Sequence, residues 1–192
     1  LFLIGPWNSM IALAESLNDN FLRYVCNNKD ITISAGISVY KPGEPVITIA
    51  ESAEHALALS KNKPGKNSIT IFGETVTWDE FKTLDSIKDT MQKWFTDETI
   101  NNAMLFRFNE LLEMAKQEKE IRDLQFNIQM EDMECLKWRA RFKYTVVRNI
   151  GRNLKGDKKN EAIEEVMKSV VWLDTHHGAL KIPLWQIIYN QR

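Results

Sequence analysis

Up to about Phe72 the sequence changes its period repeatedly; from Thr77 onward it keeps a single helical one. This switch constrains the fold more than any other feature. Ile31, Ile33, Ala35, Ile37 and Val39 alternate with Thr32, Ser34, Gly36 and Ser38, the two-residue period of a strand with one covered face. Leu1–Ile4 is a continuous apolar run, read as a buried strand that Gly5-Pro6 stops. Met10, Leu13, Ala14, Leu17 and Phe21 then recur at three-and-four spacing behind Asn8, a good helix cap. Ile49, Ala53, Ala56, Leu57 and Ser60 mark a second helix face made of small residues, and "SITIFG" reads as a last strand. Strand, helix, strand, helix, strand predicts an α/β layer, although three strands alone make a marginal sheet.

Thr77-Trp78-Asp79-Glu80 has the pattern of a capping box, and Phe81, Leu84, Ile87, Met91 and Phe95 continue the helix behind it. Thr96 is a candidate cap for a further helix carrying Ile100, Ala103, Leu111, Met114 and Ala115. The polar "KQEKEIRD" reads as an exposed loop or helix end. Leu136, Ala140, Tyr144 and Val147 predict the buried face of a helix ending near Gly151. Ile163, Met167, Val170 and Leu173 predict another that runs to Gly178. "KIPLWQIIYNQR" should begin extended, because Ile182 precedes a proline. The expected fold class is therefore α+β: residues 1–76 form a partial strand-helix-strand-helix-strand layer, and residues 77–192 form an all-α bundle of about four helices.

Composition narrows the function. The 192 residues carry a formal net charge of −1, so attraction to nucleic acid would have to come from a local patch. The two cysteines, Cys26 and Cys135, stand outside any CxxC spacing and read as reduced thiols, in keeping with a cytoplasmic location. No apolar run approaches the roughly 20 residues that a membrane span needs. His176-His177-Gly178 lacks a nearby cysteine or third histidine; it reads as a helix end stabilised by His and closed by Gly178, not as a metal site.

Ser34-Ala35-Gly36, "ALALSKN" with Lys61, and Gly65-Lys66-Asn67 follow one another in an order that resembles the second half of a GGDEF-type nucleotide-cyclase palm, a ferredoxin-like fold. Gly5-Pro6-Trp7 and the helical tail, with "KWRARFKYTVVRNI", sharpen the likeness to the large subunit of type III CRISPR effector complexes, subtype A. The resemblance implies a Gly-Gly-Asp-Asp motif immediately before Leu1, and a chain that is the C-terminal part of a longer subunit. It implies synthesis of cyclic oligoadenylate from ATP on binding of target RNA, with Mg2+ or Mn2+ held by carboxylates outside this sequence. It also implies a separate nuclease domain. The partners would be the rest of the subunit, other effector subunits, CRISPR RNA and target RNA, and no membrane. A stand-alone diguanylate cyclase fragment and a non-catalytic scaffold are the alternatives. The length of sequence after the last strand speaks against the former.

No catalytic or metal-ligating residue is assigned within the chain. By the resemblance, Lys61 closes the palm helix and approaches a triphosphate, with Lys66, Asn67 and Ser34 as further nucleotide contacts. The alternative for the lysines is a solvated helix end opposing the macrodipole, and for Ser34 plain strand filler. Trp7 reads as a packing residue ahead of a base-stacking one. In the helical half, Lys137, Arg141, Arg148 and Arg152 recur at helical spacing on one face, with Trp138 and Phe142 beside it. That face suits RNA backbone or an acidic partner subunit, or is merely solvated.

Overall fold

The computed structural model describes residues 1–123, 130–150 and 156–191. It divides into two compact units, Leu1–Thr83 and Leu84–Arg192.

The first unit holds α1 (Trp7–Tyr24), β1 (Ala35–Ile37), α2 (Val46–Asn62), β2 (Ser68–Ile71), β3 (Glu74–Thr77) and the start of α3 (Trp78–Thr96). The sheet order is β1-β2-β3. β1 runs parallel to β2, with Ala35 opposite Ile69; β2 and β3 are antiparallel, with Ile71 opposite Glu74. The α+β class is as expected, but the three strands are not the expected three. Leu1–Ile4 form no ladder and are exposed, so the apolar run that reads as a buried strand is irregular here. β3 takes its place in the count. Phe72 and Gly73 turn the chain into it with φ of 53° and 81°, the positive pair that a two-residue type I′ hairpin requires.

Glycine sets the distance between sheet and helix. A Cβ on Gly36 would lie 2.2 Å from the Leu57 backbone nitrogen, so α2 crosses β1 where only a hydrogen fits. α1 is turned from its expected face. Ile11 and Asn18 are its buried residues, while Leu13 and Leu17 are exposed, and the helix starts at Trp7, ahead of Asn8. Trp7 itself is half-buried. Thr77 caps α3 as expected, its Oγ1 accepting the Glu80 N–H at 3.2 Å.

The second unit continues α3 and adds α4 (Asn102–Asp123), a 3-10 segment (Met130–Lys137), α5 (Trp138–Asn149), α6 (Asp157–Lys168), α7 (Val170–His176), a short 3-10 turn (His177–Leu180) and α8 (Lys181–Asn190). α4 packs against α5, α7 and α8. Its buried residues, Met104, Leu105, Phe108, Leu111, Leu112, Ala115 and Glu118, cover too wide a stripe for a surface helix. Around it Trp94 stacks on Trp172 with centroids 5.3 Å apart, and Phe108 on Phe142 at 5.9 Å. Each such pair contributes about 0.5–1.5 kcal/mol beyond its burial.

Several local expectations change. Thr96 ends α3, donating to the Gln92 carbonyl; Asn101 caps α4, its Oδ1 accepting the Met104 N–H at 3.0 Å. "KQEKEIRD" is the last turns of α4, not a loop. The expected single helix to Gly178 is interrupted at Ser169, between α6 and α7, where the Ser169 Oγ donates to the Val166 carbonyl at 2.6 Å. His177, not Gly178, takes the left-handed turn after α7, with φ of 44°. Pro183 lies within the first turn of α8, where a helix has no use for its N–H, so Lys181–Asn190 is helical from the start. The expected helix end at Gly151 lies outside the described residues.

Candidate functional site

Because β1 and β2 are parallel, their starting ends lie side by side. Ser34 stands immediately before β1 and Asn67 immediately before β2. α2 ends at the same place. Its Ser60 Oγ donates to the Ala35 carbonyl at 2.7 Å, and Ser68 Oγ donates to the Ser60 carbonyl at 2.7 Å. These two bonds bring the last turn of the helix, with Lys61, to the starts of both strands. Ser34, Lys61, Lys66 and Asn67 thus converge on one end of the sheet. Ser34, which the two-residue period places inside the strand, stands at its entrance.

Lys61 and Lys66 are exposed, and Ser34 and Asn67 half-buried. Gly65, Lys66 and Asn67 all have positive φ, of 80°, 52° and 46°. For a lysine the left-handed region costs about 1–2 kcal/mol. The turn is closed by the Lys66 N–H on the Lys63 carbonyl at 2.8 Å and by the Trp78 N–H on the Asn67 carbonyl at 3.3 Å. Lys63 is committed elsewhere: its Nζ donates to the Thr75 carbonyl at 3.1 Å and lies 3.8 Å from Glu80.

Two residues that sequence reasoning passed over hold this end in place. Trp78 is buried, and its Nε1 donates to the Ile33 carbonyl at 2.9 Å, fixing the segment that delivers Ser34. Thr70 bridges Ser60 and Thr75, with oxygen separations of 2.7 and 2.8 Å. A buried polar group of this kind is cheap only when fully bonded. The chemistry at this end is two ammonium groups, a hydroxyl and an amide. Those four residues suit the oxygens of a polyphosphate, while the Glu80 carboxylate at the same end lies 3.8 Å from the Lys63 ammonium.

In the second unit the predicted basic face is partly real. Lys137 and Arg141 both reach Glu134, at 2.9 and 2.6 Å; the hydrogen bond from Lys137, and then the two charges, hold its carboxyl below the usual range. Arg148 lies over the Tyr144 ring, 5.6 Å from its centroid, and also bonds its hydroxyl. Arg152 lies outside the described residues. Trp138 and Phe142, expected beside this face, are fully buried with Val146 on the inward side of the helix. The expected buried row is the exposed one: Leu136, Tyr144 and Val147 are 42%, 61% and 51% accessible.

The polar centre of this unit was not foreseen. Glu118 Oε2 accepts from the Trp138 indole and from Arg139, and its Oε1 accepts from Arg122 at 2.6 Å. Arg139 also pairs with Asp174. Burial pushes the Glu118 carboxyl up, but the bonds from Trp138 and Arg139 and the nearby cations prevail and hold it below its ordinary value. The available signal was a charge on an apolar row: Glu118 continues Met104, Phe108, Leu111 and Ala115 at helical spacing. His177 Nδ1 is buried without a partner among the described residues; burial, with Lys119 nearby, lowers its pKa.

Residues 1–70 match the family model of the second palm domain of Cas10/Cmr2. The chain is 31% identical over 88 residues to the CRISPR system single-strand-specific deoxyribonuclease Cas10/Csm1 (subtype III-A) of Methanocaldococcus jannaschii, over 40% of this chain and 11% of that protein. It is 26% identical over 117 residues to the Mycobacterium tuberculosis protein of the same description, over 58% of this chain and 14% of that one. The matches thus span a small part of these curated relatives. No solved structure matches the chain significantly. The matches bear out the resemblance to the large subunit of type III CRISPR effectors.

Proposed function

We propose that this chain is part of the large subunit of a type III CRISPR antiviral effector complex and supplies the phosphate-binding side of a palm that makes cyclic oligoadenylate from ATP. The observation that carries this reading is the convergence of Lys61, Lys66, Ser34 and Asn67 on the starting ends of β1 and β2, inside the segment that matches the palm model. The full subunit would act when target RNA is bound, beside other effector subunits and CRISPR RNA. A separate nuclease domain, outside this chain, would account for the deoxyribonuclease named in the relatives.

Lys61, on the last turn of α2, reaches into solvent as a long, flexible point charge and neutralises triphosphate oxygens. Lys66 adds a second cation from a backbone turn whose conformation is already set. Ser34 and Asn67 contribute a hydroxyl and an amide for ribose or phosphate oxygens. Together they hold the leaving pyrophosphate in line, so that positioning and charge neutralisation are this chain's share of catalysis. Divalent cations held by carboxylates outside the chain would supply activation of the attacking 3′-hydroxyl. Lys63 takes no part, since it is bound to Thr75 and Glu80.

The test is Lys61→Ala and Lys66→Ala in the full subunit, assembled with its complex and supplied with target RNA and ATP. A charge-assisted contact contributes roughly 1.5–3 kcal/mol, so each change should lower synthesis about tenfold or more while assembly is unchanged. Wild-type synthesis by the double variant would leave this half of the palm a structural scaffold.

A further inference from the structure

α5 is apolar on two opposite sides. Trp138, Phe142 and Val146 fill the core. Ala140, Tyr144 and Val147 form a second row, exposed, with Leu136 just ahead of the helix. At 100° per residue, Arg141 and Arg148 border this outer row on one flank and Lys143 on the other. The helix contains four cations and no acid. Arg139 is turned inward to Glu118, and Arg141 is held by Glu134. Lys143 and Arg148 meet no carboxylate among the described residues. Beside the row, between α4 and α5, runs an open groove of about 680 Å³, lined by Arg107, Glu110, Met114, Lys137, Ala140 and Tyr144 among others.

We infer that this outer face of α5 and the adjoining groove dock an amphipathic helix of a protein partner, with an apolar stripe flanked by glutamate or aspartate. The inference stands apart from the palm and holds whether or not that site makes a nucleotide. An exposed aliphatic and aromatic row at helical spacing is what a partner helix buries. The cations on both flanks select acidic neighbours for that stripe. RNA backbone fits less well. Phosphates gain nothing from the exposed Leu136, Ala140 and Val147 along the midline, which an apolar stripe covers.

The experiment uses the whole chain and three fluorescent probes at low salt. One is a synthetic helix with a leucine stripe flanked by glutamates, the second the same helix with glutamine for glutamate, and the third a single-stranded RNA. The glutamate helix should bind at least about tenfold more tightly than either of the others. Tyr144→Ala with Val147→Ala should weaken it about tenfold without shifting the thermal melt, since both side chains are exposed. Arg148→Glu should weaken the glutamate helix and spare the glutamine one. Preferred binding of RNA, no binding of the glutamate helix, or binding that survives the double alanine variant overturns the inference.

Discussion

Beneath the sheet of the first unit the buried polar groups are the hydroxyls of Ser60, Ser68 and Thr70; beside α4 of the second a buried carboxylate, that of Glu118, meets the buried Trp138 indole and the partly exposed Arg139 guanidinium. Hydroxyls are small and add little width. They let α2 approach β1 until Gly36 is the only residue that fits. A buried carboxylate needs several donors at once, and Glu118 gathers them from α4 and α5. One unit is held by close approach, the other by a charge that must be answered. The first tolerates no added volume and the second no lost partner.

The largest effect expected from this contrast is at Gly36. Gly36→Ala would set a methyl 2.2 Å from the Leu57 nitrogen and 2.6 Å from the Ala56 carbonyl carbon, both backbone atoms. The cost should be about 3 kcal/mol, the upper end of what overpacking usually does. Proteolysis on a thermal ramp should show the first unit opening early while residues of the second stay protected. A joint transition for both would mean that the two interiors do not respond separately.

Glu118→Gln comes next. The amide keeps an acceptor for Trp138 but leaves Arg139 with Asp174 alone. The loss should be about 2 kcal/mol, below the roughly 3–5 of a fully buried pair, because Arg139 is 40% accessible. The sign with pH follows from the lowered carboxyl. Its stabilisation is present above the ordinary carboxylate value of 4.5 and is lost as pH falls through the lower folded one. Chemical denaturation at several pH values should therefore show part of the acid loss of the second unit vanish in the Gln variant.

The smallest effect has the opposite direction. Lys66→Gly relieves a left-handed lysine at φ 52° and should stabilise the first unit by about 0.5–1 kcal/mol, net of the entropy of glycine. If Lys66 also neutralises phosphate, the same variant should bind ATP more weakly in the full subunit. Stability up and nucleotide binding down would mark the turn as strained for a purpose. Both unchanged would mean that the turn carries neither load.

Much of this architecture was legible. The small-residue face of α2 and the cap at Thr77 are local signals, and the structure realises them; the period-two run from Ile31 to Val39 yields only the three strand residues Ala35–Ile37, all half-buried, because one short helix-covered pairing is all that holds it. The helical half misled where both sides of a helix are apolar. Leu136, Ala140, Tyr144 and Val147 have as good a helical period as Trp138, Phe142 and Val146, so periodicity alone could not choose the inward row. The hairpin was hidden because Phe72-Gly73 is not among the usual turn pairs: a phenylalanine with positive φ is rare. With β3 unseen, the tie of Lys63 to Thr75 was invisible too. The convergence of Ser34 with Lys61, Lys66 and Asn67 depends on parallel pairing, which no stretch of sequence states by itself.

The bonded hydroxyls of the first unit have one further property. Ser60 has a single proton, and it goes to the Ala35 carbonyl. The 2.7 Å separation from Thr70 must then be bridged by the threonine's proton, and the 2.8 Å separation from Thr75 by that residue's own. All the protons therefore point one way, from β3 through β2 and α2 to β1. Removing the oxygen at the β1 end would strand a donor, whereas removing the one at the β3 end would leave only a spare lone pair. The chain has a vectorial order in which links of equal length are not equivalent.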